Sequence, residues 1–441
     1  PSVWEGDTSS DRATYGEGVL IGIIDSGINS RHISFAEVGG DGYLHENPYY
    51  QPDPDADFHG WCIINQGFCN DKLVGAYNLI DPAISPEDDN GHGSHTAGTA
   101  AGNFVEAIFE LNGQTITRDI SGVAPHANIV VYKVLNAAGS GTHVDILEAI
   151  ELTIGTDEID VINYSISGSD SPWGDPVEIA FLSAYDAGIF VSASAGNDGP
   201  AAGSVAHTSP WVSSVAASGH SRLFANMLDV ANVTTPVSIA SLRGSNLTTG
   251  EELLIPSDVA AGIKYDPTYH DGCSVIPAGT YAGMIGVVQR GVCSYLIKSQ
   301  NLAAAGAVAM VVYNNVGGPP ATMGFASNPT IPSVSISLNE GLALAAQLTG
   351  DVDATAVLNS EITLAFNETD WQDVMGNFSS QGPSDYELLK PDYTAPGIHI
   401  LAPVAAIASE ADTYGLYYGT SMAAPHGAGA AALFVALDDL N

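Results

Sequence analysis

Positive charge is what this chain has least of. Eleven Lys and Arg stand against 50 Asp and Glu in 441 residues, a formal net charge of −39. A surface of that sign repels polyanions, so nucleic acid and anionic membrane surfaces are excluded as partners. Charged residues are scarce altogether, at 14% against 45% apolar, which is too apolar for a disordered chain. The apolar stretches are nevertheless broken by Gly, Ser or Asp before reaching the length of a membrane span, so no membrane insertion is expected. Cysteine is nearly absent as well. The four present fall as Cys62 with Cys69 and Cys273 with Cys293, seven and 20 residues apart. Four cysteines allow three pairings, but the short separations, with no CxxC or Cys/His metal spacing, favour two local disulfides over zinc. Disulfides imply an oxidising compartment, so a secreted, extracellular protein is expected. The chain begins at Pro1 with neither Met nor a basic-then-apolar leader, as a matured form would.

Length admits one large core or two. An unbroken apolar run at 19–24 ends on Asp25, and similar β-branched runs recur at 129–134, 161–166 and 189–193, with helical patterns at 144–153 and 177–186. Unalternated strands interleaved with helices predict an α/β fold on a mostly parallel sheet. Ligands bind such sheets beyond the carboxyl ends of the strands, where Asp25, Ser165 to Gly168 and Asn197 fall. The rhythm changes after 211–216. Residues 236–366 carry the second cysteine pair, with strands expected at 284–288, 308–313 and 334–336 and helices at 295–305 and 342–348. They predict an inserted α+β domain, leaving 1–235 and 367–441 as the first domain.

Three residues could carry chemistry. Ser421, in Gly-Thr-Ser-Met-Ala-Ala-Pro-His, lies between a glycine turn and an Ala/Gly-rich helix, where free N–H groups stabilise negative charge. His92, in Gly-His-Gly-Ser-His-Thr-Ala-Gly, opens another helix after a turn-forming acidic run, and Asp25 sits in Ile-Asp-Ser-Gly-Ile. Singly, each has a commoner reading: a helix cap, a surface histidine, a buried acid held by its own loop. His92 and His95 have metal-pair spacing, but no third ligand or HExxH pattern accompanies them. The chain order Asp, His, Ser is one of the three in which the Ser-His-Asp geometry recurs.

Those three blocks, in that order, resemble the signature blocks of the subtilases. The resemblance implies a secreted serine endopeptidase of broad specificity acting on proteins and peptides, made as a zymogen and working as a monomer. Ser421 would be the nucleophile, His92 the general base and Asp25 the carboxylate that orients it. Ser-Ala-Gly-Asn-Asp-Gly-Pro at 194–200 resembles the fourth block, so Asn197 would offer its amide to the oxyanion. Ser165, Ile166, Ser167 and Gly168, with Gly139, Ser140 and Gly141, resemble the two edges that bind substrate as an added strand. Ala195 and Gly196 would then floor the primary pocket. No cofactor is expected for catalysis. Structural calcium is expected from the family, with the loops at 53–57 and 81–89 permissive but matching no EF-hand. The stretches at 271–273, 283–293 and 305–315 resemble a protease-associated domain, as inserted in plant cucumisin-like and bacterial subtilases. Gln381 stands where the family often has Arg, and Gly427 where it usually has Val. The rival readings are an esterase and a silent binding or adhesion module. An esterase would need GxSxG and the order Ser, Asp, His, and Ala423 stands at the second Gly position; a silent module would need the loss of a catalytic group, and all four are present.

Overall fold

The computed structural model describes residues 2–5, 13–49, 58–111, 113–155, 157–169, 171–247, 253, 255–349, 353–367, 369–384, 388–407 and 410–439. The chain divides into two compact units. The first comprises Pro1–Phe109, Ile116–Ser218 and Met375–Asn441; the second comprises Gly219–Val374 together with Glu110–Thr115. The boundary expected at 235/236 is therefore too late, because Arg222–Ala231 is already a strand of the second unit's sheet. The two chain ends of the long segment meet at Ser218 and Met375, which pair as an antiparallel bridge within the first unit.

The first unit is built on eight parallel strands in the order Tyr393–Pro396, Ser213–Ser218, Phe190–Ser194, Val161–Tyr164, Leu20–Asp25, Asn128–Lys133, Leu73–Asn78 and His59–Gly60. Alternate residues of the Asp25 strand feed opposite cores. Leu20 and Ile24 pack with Ile146, Ile150, Val177 and Phe181 of helices His143–Gly155 and Pro176–Asp186. Ile21 and Ile23 pack with Ala97, Ala100, Ala428 and Ala432 of helices His92–Ala101 and Thr420–Asp439. With both faces covered, every residue of that strand is buried, which is why its sequence is apolar without alternation. The helices facing the second core present alanines to it, and the His92 helix starts hard against the loop after Asp25: a Cβ on Gly93 would come within 2.3 Å of the Gly27 carbonyl oxygen.

The stretch Thr420–Asp438 is long and apolar enough by composition to cross a membrane, contrary to the sequence reading. However, 61% of it is buried inside the protein, and Ala423, Ala424, Ala428 and Ala432 are fully buried, as in a core helix. Gly427 has a packing reason. A Cβ there would lie 2.2 Å from the Tyr393 hydroxyl, so the tyrosine takes the space that a valine would need.

The second unit is a mixed sheet that closes on itself. Strands Arg222–Ala231, Thr355–Phe366, Val259–Tyr265, Met284–Gln289, Ala309–Tyr313, Ser333–Ile336 and Val237–Asn246 pair in succession, and the last pairs back onto the first. Helices Tyr295–Ala304 and Leu338–Leu348 accompany this barrel, the latter opening on a Ser337/Glu340 capping box. The tip Glu110–Thr115 belongs here through Gln114, which donates to Ser360 O and accepts from Ile362 N, both at 2.9 Å. Both local disulfides are formed, Cys62–Cys69 in the first unit and Cys273–Cys293 in the second.

Candidate active site

Asp25 ends its strand at the carboxyl rim and is fully buried. Its Oδ1 accepts from Ser26 N at 2.7 Å and its Oδ2 from Thr96 Oγ1 at 3.2 Å. His92 Nδ1 lies 2.8 and 2.9 Å from the two carboxylate oxygens, so the Nδ1 proton faces Asp25 and Nε2 is the ring nitrogen left to act. The ring stands at the first residue of its helix because Gly91, at φ 100°, turns the chain there in the left-handed region.

A second carboxylate holds this arrangement. Asp88 is 5% exposed and accepts from Ser26 Oγ (2.9 Å), Asn90 N (3.0 Å), Gly91 N (2.8 Å), Ser94 N (2.9 Å) and Ser94 Oγ (2.6 Å). Ser26 Oγ in turn accepts from Gly93 N at 2.8 Å. Asp88 thus ties the residue after Asp25 to the first turn of the His92 helix, satisfying helix N–H groups that have no partner within the helix. Burial by itself would lower the basicity of His92. The charge and hydrogen bond of Asp25, and then the charge of Asp88, outweigh it and raise the pKa above the ordinary histidine value. Beside them Lys133, paired in register with Asp25, donates to Ser26 O and Asp89 Oδ1, both at 2.6 Å.

Ser421 lies in the first turn of its helix, where its own N–H has no helical acceptor. Its Oγ donates to Ser165 O at 3.2 Å, and Ser165 Oγ donates back to Ser421 O at 2.9 Å. No hydrogen bond joins the Ser421 hydroxyl to His92. Asn197 Oδ1 accepts from Thr420 N (3.0 Å) and Thr420 Oγ1 (3.1 Å), which turns its Nδ2 away with no partner among the described residues. Thr420, fully buried, also accepts from Gly196 N at 3.1 Å. Sequence reasoning passed over Asp88 and Thr420 as structural residues. The signal for Asp88 was its place before a helix start, where an Asp side chain takes up free N–H groups; Thr420 Oγ1 instead meets Gly196 N and Asn197, distant in sequence, and gave no local signal.

Gly139, Ser140 and Gly141 lie in an exposed turn closed by Gly139 N to Asn136 O (2.8 Å) and Asn136 N to Ser140 O (2.9 Å), and Asn90 Nδ2 reaches Ala137 O at 3.1 Å. Ile166, Ser167 and Gly168 continue beyond the strand that ends at Tyr164. Ala195 and Gly196 are buried, Ala195 against Val205 and Ala216. A cavity of about 170 Å³ beside Ser167 and Gly168 is lined by His143, Asp175, Glu178 and His207, not by Ala195 or Gly196.

His95 is a core residue: Nε2 faces Ile400 O at 2.9 Å, the ring stacks on Tyr417, and burial holds its pKa at about 3. Among the described residues no three His, Cys, Asp or Glu side chains gather to hold a metal ion. In the 81–89 loop, Asp81 accepts from Ala83 N, Asp88 from Ser26 and Ser94, and Asp89 from Lys133. The 53–57 loop lies outside the described residues.

The family model that matches residues 16–439 is that of the subtilase family. The chain belongs to the subtilases. This subtilase is 30% identical to subtilisin-like protease SBT2.3 of Arabidopsis thaliana over 95% of its own length and 55% of that protein's. It is 31% identical to the plant's subtilisin-like protease SBT2.2, over 95% and 54%. The chain thus spans about half the length of these curated relatives. Among solved structures it resembles the psychrophilic subtilisin-like protease Apa1 from the Antarctic psychrotroph Pseudoalteromonas sp. AS-11. The TM-score is 0.50 at 22% identity, covering 95% of this chain and 83% of that one. That likeness bears on the fold, which is subtilisin-like: a parallel sheet between helices.

Proposed function

We propose that this subtilase is a secreted serine endopeptidase in which Ser421 attacks the peptide carbonyl, His92 is the general base and Asp25 orients it. The observation that carries the reading is the bond from His92 Nδ1 to the buried Asp25 carboxylate. It directs Nε2 to the proton-transfer role and stabilises the imidazolium formed on attack. The Ser421 hydroxyl turns from Ser165 O to His92 Nε2 when substrate enters. The tetrahedral oxyanion takes the Ser421 N–H and the Asn197 Nδ2–H, the latter aimed by Thr420. His92 then protonates the leaving amine, and water repeats the sequence on the acyl-enzyme.

Substrate binds as an added strand between residues 139–141 and 165–168, so main-chain pairing supplies affinity and specificity is broad. The two disulfides support an extracellular site of action. The barrel at Gly219–Val374 is the protease-associated domain, supported by its motif resemblance and its location between the Asn197 and Ser421 blocks. Titration with a chromogenic ester tests the reading against the silent-module alternative. One equivalent of burst product per chain, lost in Ser421→Ala, is expected; the absence of a burst in folded wild-type protein would refute it.

A further inference from the structure

Beneath residues 165–168 lies a buried pair that the mechanism does not use. His207 is fully buried and Glu178 is 1% exposed. His207 Nδ1 meets Glu178 Oε1 at 2.6 Å, and Nε2 meets the Ile166 carbonyl oxygen at 2.9 Å. The backbone N–H of His207 donates to Ser169 O at 3.0 Å, so one residue grips the segment at two points. The contact is close enough that a Cβ on Gly168 would fall 1.9 Å from the His207 ring. His207 holds φ 55°, a left-handed conformation that is uncommon for a side-chain-bearing residue and persists only where its surroundings enforce it.

Ser209 Oγ donates to the other Glu178 oxygen, Trp211 Nε1 donates to Glu178 O at 2.7 Å, and the Tyr164 ring stands edge-on to the His207 ring. Burial alone would raise the Glu178 carboxyl. The hydrogen bond and charge of His207, with the Ser209 hydrogen bonds, outweigh it and hold the carboxyl below its usual range. A carboxylate and a backbone carbonyl can only accept, so both ring nitrogens of His207 must donate.

We infer that His207, held as an imidazolium by Glu178, is a positioning residue that fixes the substrate-binding segment 165–168 and so sets KM for extended peptides. This rests on the reading of Ser165, Ile166, Ser167 and Gly168 as substrate-binding. The segment is also held by Ser165 on Ser421 and, more weakly, by Ser194 Oγ, which donates to Ile166 O at 3.4 Å, so the shorter bond from the ring is the main constraint on where residues 166–168 lie relative to the nucleophile. His207→Phe keeps a ring and removes both donors. It should raise KM for a four-residue p-nitroanilide about tenfold with kcat within about twofold, while a small fluorophosphonate that does not span the segment still labels Ser421 at the wild-type rate. Glu178→Gln should be milder, within about threefold in KM, because its amide can donate to Nδ1 of a neutral ring and leave Nε2–H on Ile166 O.

Nitrogen-15 NMR of histidine-labelled protein supplies the second readout. Two ring protons are expected on His207 in the wild-type chain and one in Glu178→Gln. A single ring proton in the wild-type chain would overturn the inference, and it decides alone if the phenylalanine variant does not fold. An unchanged KM in folded His207→Phe would overturn it as well, whatever the proton count. Failure of the fluorophosphonate to label wild-type protein would count against Ser421 itself.

Discussion

Replacing Asp88 by Asn keeps the side chain's volume and removes its charge. The carboxylate now takes five hydrogen bonds, from Ser26 Oγ, Asn90 N, Gly91 N, Ser94 N and Ser94 Oγ. An amide has one accepting oxygen. Its least costly orientation leaves Oδ1 with Ser26, Asn90 and Gly91 and turns the NH₂ toward Ser94. The Ser94 hydroxyl can rotate to accept, but its backbone N–H cannot. One buried donor is then orphaned, at about 1–3 kcal/mol, and three remaining bonds lose charge assistance, for roughly another 1 kcal/mol. A loss of about 2–4 kcal/mol should appear as a lower urea midpoint at unchanged slope, a large share of an ordinary folding free energy. A second readout follows from sign. The Asp88 charge helps to raise the pKa of His92, which must be neutral to accept a proton. Removing the charge lowers that pKa, so the acid limb of kcat/KM should move to lower pH. An unchanged urea midpoint would refute the hydrogen-bond argument, and an acid limb that stays or rises would refute the electrostatic one.

Ser421→Ala should abolish peptide hydrolysis with the melting temperature within a few degrees of wild type; turnover by the folded variant would remove Ser421 from the mechanism. Asn197→Ala should lower kcat roughly 10² to 10³-fold with little change in KM, the range for losing one oxyanion donor in a subtilisin; a defect confined to KM would make Asn197 a turn residue. Burial depresses His32 to about 4 and His45 and His95 to about 3. Unfolded histidines take up protons near 6.5, so the stability held by these neutral rings is present above that pH and lost as it falls toward 4. The slope should reach about 4 kcal/mol per pH unit if all three titrate together, and urea midpoints independent of pH across that window would contradict their burial as neutral groups. Replacing Gly219–Val374 by a short glycine turn joining Ser218 to Met375 should keep kcat for a four-residue peptide within about tenfold, because the bridged ends already lie together. Complete loss of activity in a folded, soluble variant would mean that the barrel shapes the active site.

Much of this protein was legible in one dimension. Strands covered on both faces must be apolar throughout, so the runs at 19–24 and 161–166, which hold the strands Leu20–Asp25 and Val161–Tyr164, announced a parallel sheet. The residues proposed for catalysis fall at strand ends and helix starts, where turn chemistry constrains neighbouring residues, so Asp25, His92, Asn197 and Ser421 stood within recognisable blocks. The closing of the second sheet was not legible. Strands such as Arg222–Ala231 and Thr355–Phe366 mix polar and small residues, and they pair with each other across more than a hundred residues. Local pattern also could not say what individual buried polar groups do. Asp88 read as one acid in a turn, Thr420 as a letter of a motif, and His207 and Glu178 as unremarked residues of a loop and a helix. Their roles depend on which donors and acceptors packing brings within 3 Å, over separations of 29 residues for His207 with Glu178 and 62 for Asp88 with Ser26. A buried polar group must find partners wherever the fold supplies them, so composition and periodicity determined the layers, and only the tertiary structure decided which carboxylate holds which ring.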